Sequence, residues 1–209
     1  MSPVLIELQY LPCVQYFALL ASQPVVCLEQ HEHYVKGAYR NRCHIAAVNG
    51  VQRLTVPLRK GKNQQQPIRE VQIAYDEPWQ SRHWQAVQSS YGRAPFFEHF
   101  ADELSPFYQN KKYKWLWDMN FDLLMFLVKL TGLKTEIRLT EKYEADPAGT
   151  LDFRESIHPK KNAPDDGFRQ IHYPQVFEDR HGFLENLSVL DLIFCAGPAA
   201  GNVLKSSLV

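Results

Sequence analysis

The hydrophobic positions near the N-terminus come in short runs separated by polar residues and proline. Val4 to Gln9 predicts a short buried strand, Pro12 to Ser22 a helix with proline near its first turn, and Val25 to Gln30 a second strand. This order predicts a β-α-β unit. Because ligands commonly bind at the carboxyl ends of strands in such sheets, the loops at residues 9–10 and 29–33 are candidate walls of a site.

The next segment predicts a β-hairpin and then a further strand. The runs Cys43 to Val48 and Val51 to Leu58 flank Asn49-Gly50, and both turn residues tolerate the positive φ of a type I′ turn. A polar loop follows from Arg59 to Pro67. Alternating apolar residues from Ile68 to Tyr75 then predict one more strand.

Beyond residue 79 the apolar spacing becomes helical, which indicates that helices cover the sheet. Three helical segments are predicted. The first carries Trp84, Val87 and Tyr91 on one face, the second covers residues 96–107, and the third runs from Trp115 to Leu130 and is ended by Gly132.

The C-terminal part alternates between ordered and irregular patterns. Glu136 to Leu139 predicts a short strand, and Glu144 to Arg169 is rich in Asp, Pro, Lys and Gly, which predicts a long polar loop or arm. Residues 171–177 are predicted to be extended, and Ser188 to N-cap a last helix that ends at Gly197. The predicted fold is therefore a single α/β domain, residues 1–209, with a β-α-β opening and a mixed sheet covered by a helix-rich C-terminal half.

Composition narrows the class of protein. The chain of 209 residues is 45% hydrophobic, and 23 basic residues balance 23 acidic ones, so no global field attracts it to nucleic acid and no nucleic-acid partner is expected. No apolar run reaches the roughly 20 residues that span a bilayer, and the N-terminus does not resemble a signal peptide, so membrane insertion is not expected. The cysteines form no CxxC pair, which fits a reduced, cytoplasmic protein: they are Cys13, Cys27, Cys43 and Cys195.

The densest group of candidate site residues lies between Tyr34 and Ile45. Arginine side chains bind carboxylate or phosphate in a bidentate manner, lysine adds a mobile charge, and tyrosine offers an apolar face with a polar tip. The group predicts a site for a phosphate, a sugar-nucleotide or a carboxylate, and the alternative is a solvated loop with ordinary ion pairs. Its members are Tyr34, Lys36, Tyr39, Arg40, Asn41 and Arg42.

Proton-transfer groups are predicted at two places. Glu29, His31, Glu32 and His33 follow the second strand, and His31 and His33 would project to one face of an extended segment. Without a third ligand at helical spacing no metal is predicted, which leaves general acid or base chemistry or a polar strand end. His83, at the start of a helix, is a second candidate because its ring titrates near neutrality.

Three polar residues in apolar surroundings need partners. Asn120 is predicted to be a buried amide that is satisfied between helices, and Asp191 a buried acid paired with an arginine of the Tyr34 to Ile45 group. Cys43 lies between Arg42 and His44, so it is either an activated thiol or an inert thiol in a strand.

Three common catalytic signatures are absent from the sequence. It contains no GxxxxGK[ST] phosphate loop, no full GxGxxG turn and no GxSxG nucleophile elbow. This argues against a P-loop kinase, a standard nicotinamide dehydrogenase and an α/β-hydrolase.

Several segments, taken in order, resemble the WbqC-like family of bacterial proteins, and the resemblance spans nearly the whole chain. The segments are Gln9-Tyr10-Leu11-Pro12, Tyr34 to Ile45, Leu54-Thr55-Val56-Pro57, His83 to Phe97, and Tyr173-Pro174-Gln175 with Leu187 to Phe194. Between Leu139 and Tyr173 the chain departs from many members, which carry a glycine-rich block there.

The resemblance implies a role in bacterial polysaccharide or O-antigen biosynthesis, where transfer of glycine or another acyl group to a sugar has been suggested. We therefore expect a transferase acting on a sugar-nucleotide or glycan precursor, with a non-catalytic ligand-binding or scaffold protein of the same pathway as the alternative. The cofactor and the oligomeric state stay open. In the transferase, Lys36, Arg40 and Arg42 are expected to bind the anionic part, and Tyr39 and Asn41 to orient it. Gln9 and Tyr34 are further expected substrate-binding residues. His83 or His33 is expected to transfer protons, with Asn120 and Asp191 in structural or orienting roles.

Overall fold

The computed structural model describes residues 3–59, 66–109, 111–160 and 167–207, and its elements alternate between strands and helices. In chain order they are β1 (Val4–Glu7), α1 (Val14–Ala21), β2 (Val25–Glu29), β3 (Arg42–Ala47), β4 (Gly50–Thr55), α2 (Trp79–Tyr91), α3 (Phe97–Leu104), α4 (Pro106–Gln109), α5 (Leu116–Thr131), β5 (Glu136–Leu139), β6 (Leu151–Asp152), α6 (Glu178–His181), α7 (Val189–Ala196) and α8 (Ala200–Ser206).

The main sheet has four parallel strands in the order β5-β2-β1-β6. The predicted β-α-β opening is confirmed, because β1 and β2 pair in parallel and α1 connects them. The register places Glu7 opposite Glu29 at the carboxyl ends of these two central strands. The α/β class is also confirmed, although the antiparallel strands β3 and β4 form a separate sheet.

The two faces of the parallel sheet differ in character. Val4, Ile6, Val26 and Leu28 point to one face and are fully buried in the core with the helices. The opposite face carries Leu5 and Cys27, and then Glu7 and Glu29, because successive residues of a strand alternate in direction. Residues 140–150 line a cavity on this second face, so a polar segment rather than a helix lies against it.

The hairpin is confirmed, but its turn differs from the prediction. Ala47 pairs with Gly50, so Val48 and Asn49 form the two-residue connection, one position earlier than expected. Gly50 has a φ of 103°, whereas Asn49 is not among the positive-φ residues of the described chain. The prediction of a type I′ turn at Asn49-Gly50 is therefore wrong.

The strand predicted from Ile68 to Tyr75 is also wrong. This segment forms one 3₁₀ turn, Ile68–Glu70, and then isolated bridges through Gln72 and Ile73. Its buried residues Ile68, Val71 and Ile73 are not evenly spaced by two, and backbone hydrogen bonds tie the segment to the start of α5. The apolar residues of this segment are therefore buried by packing against a helix, and the segment does not pair as a strand of a sheet.

The predicted helices are present with adjusted ends. Residues 96–107 divide into α3 and α4, α5 ends where Gly132 adopts a φ of 67°, and Ser188 caps α7 by accepting a hydrogen bond from the Leu190 amide at 3.4 Å. The C-terminal helix α8 and the short strand β6 had no predicted counterpart. Within the described residues, no helix is long and apolar enough to cross a membrane.

Two predicted irregular segments fall partly outside the described residues. These are residues 60–65 of the polar loop and residues 161–166 of the polar arm. The remainder of the arm contains β6 and an irregular chain that returns toward α6.

Candidate active site

The carboxyl ends of β1 and β2 place two acidic side chains next to each other. Glu7 and Glu29 are register partners and both are 0% exposed. Neighbouring strands are separated by about 4.8 Å, so the two carboxyl groups lie on the same face and within the same buried region. Buried like charges are costly unless donors surround them.

Hydrogen-bond donors come to these carboxylates from distant parts of the chain. Glu29 accepts from the His31 amide at 2.8 Å, from the Thr140 hydroxyl at 3.0 Å and from Arg154 Nη1 at 3.3 Å. Glu7 accepts from Gln9 Nε2 at 2.8 Å and from the backbone amide of residue 155 at 3.1 Å. The polar arm thus supplies the guanidinium and the amide that make this acidic edge stable.

A buried ion pair lies beside the two glutamates. Arg40 donates from Nε to Glu32 Oε1 at 2.8 Å and from Nη2 to Glu32 Oε2 at 2.5 Å, a bidentate arrangement, and Arg40 is 0% exposed. We name Glu7, Gln9, Glu29, Glu32, Arg40 and Arg154 the sheet-edge cluster.

The sheet-edge cluster perturbs the acidity of Glu32. Burial, with smaller contributions from the charges of Glu7 and Glu29, raises the pKa of Glu32 to about 7, although Arg40 acts in the opposite direction. Burial disfavours the charged form of Arg40, yet its hydrogen bond to Glu32 raises the pKa of Arg40 overall. Arg40 is therefore a permanent cation, and Glu32 is the group that gains and loses a proton near neutrality.

Several buried polar atoms around this pair have no hydrogen-bond partner within the described residues. They include Arg40 Nη1, Gln9 Oε1 and Asn120 Oδ1. Asn120 is buried as predicted and donates from Nδ2 to the Arg40 carbonyl at 2.7 Å, so it belongs to the same polar region. Its unpartnered Oδ1 shows that the prediction of a satisfied amide is wrong. Unpaired donors and acceptors in the interior cost free energy, and they are places where a ligand or ordered water can bond.

A cavity of about 250 Å³ opens beside the cluster on the second face of the sheet. Glu29 and Thr140 line it together with Glu141, Lys142 and Glu144, and Lys142 pairs with Glu144 at 2.8 Å. The cavity is thus acidic on balance and rich in hydrogen-bond acceptors. In the part of the chain that the structure describes, no three His, Cys, Asp or Glu side chains are placed to hold a metal ion.

The predicted cation group between Tyr34 and Ile45 does not form one surface. Lys36 is exposed and Arg42 is half-buried, whereas Arg40 points inward to Glu32. Neither Lys36 nor Arg42 lines the acidic cavity.

The neutral members of that group hold the loop together. The Tyr34 hydroxyl donates to Asn41 Oδ1 at 2.9 Å, and Asn41 Nδ2 donates to the Val56 carbonyl at 2.8 Å. The Tyr39 hydroxyl lies 3.5 Å from His44 Nδ1, and the Tyr39 carbonyl accepts from the Tyr10 amide at 3.0 Å. These contacts attach the loop to β4 and to the end of β1.

The two predicted catalytic histidines lie apart. His33 is exposed, next to the bridge it forms with Pro67. His83 is buried with Nδ1 2.9 Å from the Tyr10 hydroxyl, which is in turn 3.0 Å from the Tyr108 hydroxyl. Burial lowers the pKa of His83 to about 4, so its ring is neutral at physiological pH.

The predicted pair between Asp191 and an arginine is wrong. Asp191 Oδ2 accepts from the Tyr173 hydroxyl and from Gln175 Nε2, each at 2.8 Å, while Arg40 binds Glu32. Burial raises the pKa of Asp191 to about 6. Neutral donors of the C-terminal segment, rather than a guanidinium, bind this acid through Oδ2, and its buried Oδ1 has no partner among the described residues.

The question left open for Cys43 is answered by burial. Burial raises the pKa of the Cys43 thiol far above its ordinary value, despite its neighbours Arg42 and His44. It is an inert thiol in β3.

Sequence reasoning missed Glu7 and Arg154. The signal for Glu7 was present, since acidic residues end both strands of the β-α-β unit at equivalent positions. Arg154 gave no local signal, because its partner Glu29 is 125 residues away in the chain.

Comparison with known proteins gives three findings. The family model described as "WbqC-like protein family" matches residues 9–159, which include all of the sheet-edge cluster except Glu7. The Mycobacterium tuberculosis protein named "Uncharacterized protein Rv1507c" is 30% identical over 140 residues, which cover 67% of this chain but only 60% of that protein. No solved structure matches the chain significantly.

Proposed function

Because the chain belongs to the WbqC-like protein family, we propose that it is a transferase acting on a sugar-nucleotide or glycan precursor of bacterial polysaccharide biosynthesis. One observation carries the proposal most directly. Two buried carboxylates, Glu7 and Glu29, end adjacent parallel strands, and Glu29 is braced by Arg154 and lines an open cavity. Glu32, braced by Arg40, follows in the loop after β2. This is where α/β sheets bind their ligands.

The acidic cavity suits the acceptor of the transfer. Ionised carboxylates only accept hydrogen bonds, so Glu29, Glu141 and Glu144 favour a group that donates several, such as a polyhydroxyl or amino-bearing sugar. Arg154 and Thr140 hold Glu29 in place, which gives the cavity a fixed wall. A polyanionic group would be repelled by the same residues.

Proton transfer in this proposal belongs to Glu32. The reacting O–H or N–H of the acceptor gives its proton to Glu32 as its lone pair forms the new bond to the transferred carbon, and the leaving group departs with the electrons of the broken bond. A carboxylate with a pKa of about 7 is matched to this task at neutral pH. His83 is less suited, because burial lowers its pKa to about 4, which makes the ring a weak base at neutral pH.

The anionic part of the donor is assigned to the surface cations of the Tyr34 to Ile45 segment. Lys36 is exposed and Arg42 is half-buried, and the guanidinium and ammonium groups that they carry are suited to phosphate oxygens. In this proposal Gln9, Tyr34, Tyr39 and Asn41 position the loop.

A second candidate function is favoured by the dispersal of polar groups. Asn120 contacts Arg40, but His83 and Asp191 lie in separate hydrogen-bond networks. A non-catalytic protein that binds a polysaccharide precursor would need the acidic cavity but no convergent set of reacting groups.

Ligand screening by thermal shift tests the site. Sugar-nucleotides, acyl-CoA compounds, amino sugars and amino acids are added singly, since a ligand that binds only the folded state raises the melting temperature. We expect stabilisation by a sugar-bearing compound, and its loss in Glu29→Gln but not in Glu103→Gln, whose carboxylate forms an exposed pair with Lys129. No shift across the panel, or a shift unaffected by Glu29→Gln, contradicts the placement of the site.

A further inference from the structure

A second and larger cavity lies away from the sheet-edge cluster. Its volume is about 650 Å³, within the range of small-molecule sites, and it shares no lining residue with the acidic cavity. Its wall is built from the hairpin turn at Val48, the end of α2, and the segment from Pro174 to α6 and α7. Residues 174–195 of this wall lie outside the part of the chain matched by the family model.

Two guanidinium groups stand at the cavity without ion-pair partners. Arg93 and Arg180 both line it and both are exposed, and neither forms a salt bridge with any described residue. Asp179 lies in the same wall and is likewise exposed, so the side chains of the cavity carry a net charge of one positive unit. Two forked donors with free hydrogen-bonding capacity are suited to a carboxylate, sulfonate or phosphate.

The rest of the wall is suited to an apolar body. Val48, Val176 and Phe177 contribute side chains, together with two prolines. The buried Gln175 in this wall has its capacity used, since Nε2 donates to Asp191 and to the Leu184 carbonyl and Oε1 accepts from the Leu184 amide. An apolar part of a ligand that contacts Gln175 therefore takes no hydrogen bond away from it.

The thiol in the cavity does not make it a catalytic centre. Cys195 is buried, and burial, with the nearby charge of Asp191 as a smaller cause, raises its pKa to about 12. The thiol is therefore protonated at neutral pH and acts as an apolar surface.

We propose that this cavity is a binding site for an amphipathic anion, that is, one carboxylate, sulfonate or phosphate group carried on an apolar chain or ring. The anion binds Arg93 and Arg180, and the apolar body contacts Val48, Val176 and Phe177. This site is separate from the transferase site and does not depend on it.

Fluorescence titration with two matched probes tests the inference. The probes are 8-anilinonaphthalene-1-sulfonate and N-phenyl-1-naphthylamine, which share an aromatic body but differ in the sulfonate. Arg93→Gln combined with Arg180→Gln is expected to weaken sulfonate binding by about tenfold or more and to leave the neutral probe within about twofold. Arg82→Gln is the control, because Arg82 is an exposed arginine of α2 that pairs with Glu77 and does not line the cavity, and it is expected to change neither probe.

A cavity-filling variant and competitors complete the design. Val176→Trp is expected to abolish binding of both probes while the circular dichroism spectrum stays that of the wild type, and unchanged binding would place the probes elsewhere and overturn the proposal.

Octanoate and octyl phosphate are expected to displace the sulfonate probe, whereas inorganic phosphate and octanol are not, and the stronger of the two competitors identifies the anionic group. Equal weakening of the binding of both probes in the double arginine variant would also overturn the proposal. Glu29→Gln leaves these titrations unchanged, so failure here is distinct from failure of the transferase site.

Discussion

At the level of single residues, burial controls the ionisation of this protein more than pairing does. Glu32 with a pKa of about 7, Asp191 with about 6 and His83 with about 4 are all displaced toward their neutral forms, and burial is the largest cause in each case. The pH dependence of stability has opposite signs for the acids and the histidine, because protonation neutralises the two acids but charges the histidine.

The replacement Asp191→Asn tests the effect of a buried acid on stability. The pKa of Asp191 rises from 3.8 to about 6 on folding, so the folded state holds the proton more tightly. The stabilisation by the neutral acid is complete below pH 3.8 and is lost as the pH rises through about 6, a change of about 3 kcal/mol. Urea unfolding from pH 4 to pH 8 should therefore show Asp191→Asn gaining stability relative to the wild type by that order. Parallel pH curves for the two proteins would contradict the burial of this carboxyl group.

At the level of elements, helix ends determine how the C-terminal half packs on itself. The Phe96 amide donates to the Phe194 carbonyl at 3.0 Å, and an added Cβ at Gly197 would lie 2.5 Å from the Phe96 ring. Gly197 also has a φ of 52°. The junction of α3 with the end of α7 thus requires a residue without a side chain.

Alanine replacements at two helix ends separate backbone strain from steric overlap. Gly132 has a φ of 67° with no atom within 4 Å of an added Cβ, so Gly132→Ala should lose only about 1 kcal/mol of unfolding free energy. Gly197→Ala adds the overlap with Phe96 and should lose about 2 kcal/mol more. Urea denaturation of both variants measures the difference. Equal losses would show that the Phe96 ring moves aside without cost.

Local patterns were sufficient for the elements that local chemistry determines. The β-α-β opening, α5 with its terminal glycine and the capped α7 followed from periodicity and end signals. The segment from Ile68 to Tyr75 failed because its apolar residues pack against α5 instead of alternating between two sheet faces. The two-residue strand β6 forms by pairing with β1, and the residues of β6 themselves give no indication of this distant partner.

At the level of the whole molecule, the polar arm packs on the sheet and contributes Arg154 to the sheet-edge cluster. Its strand β6 pairs with β1, and Arg154 contacts Glu29, Asp152 and the ring of Tyr143. The contact with Glu29 joins residues far apart in sequence, which is why the sequence alone indicated the acidic residues that follow the second strand but not the cation that stabilises them.

Removal of Arg154 tests this account of the arm. Arg154→Met leaves Glu29 buried without its cationic partner and should lower the unfolding free energy by about 3 kcal/mol. Arg138→Met removes an exposed pair with Glu136 and should leave the unfolding free energy nearly unchanged. Combining Arg154→Met with Glu29→Gln should recover part of the loss. If both single arginine variants were equally stable, the arm would not be held by this pair.

Glu32 is proposed to accept the proton in the transfer reaction, and the pH dependence of kcat/KM, measured with a substrate found by screening, tests this role. The wild-type value should rise with pH through about 7, because Glu32 must be ionised to act as a base. Glu32→Gln should remove this step and lower kcat/KM by about 10²- to 10⁴-fold while the substrate still binds. Retention of both the wild-type kcat/KM and its pH profile in folded Glu32→Gln would contradict this role of Glu32.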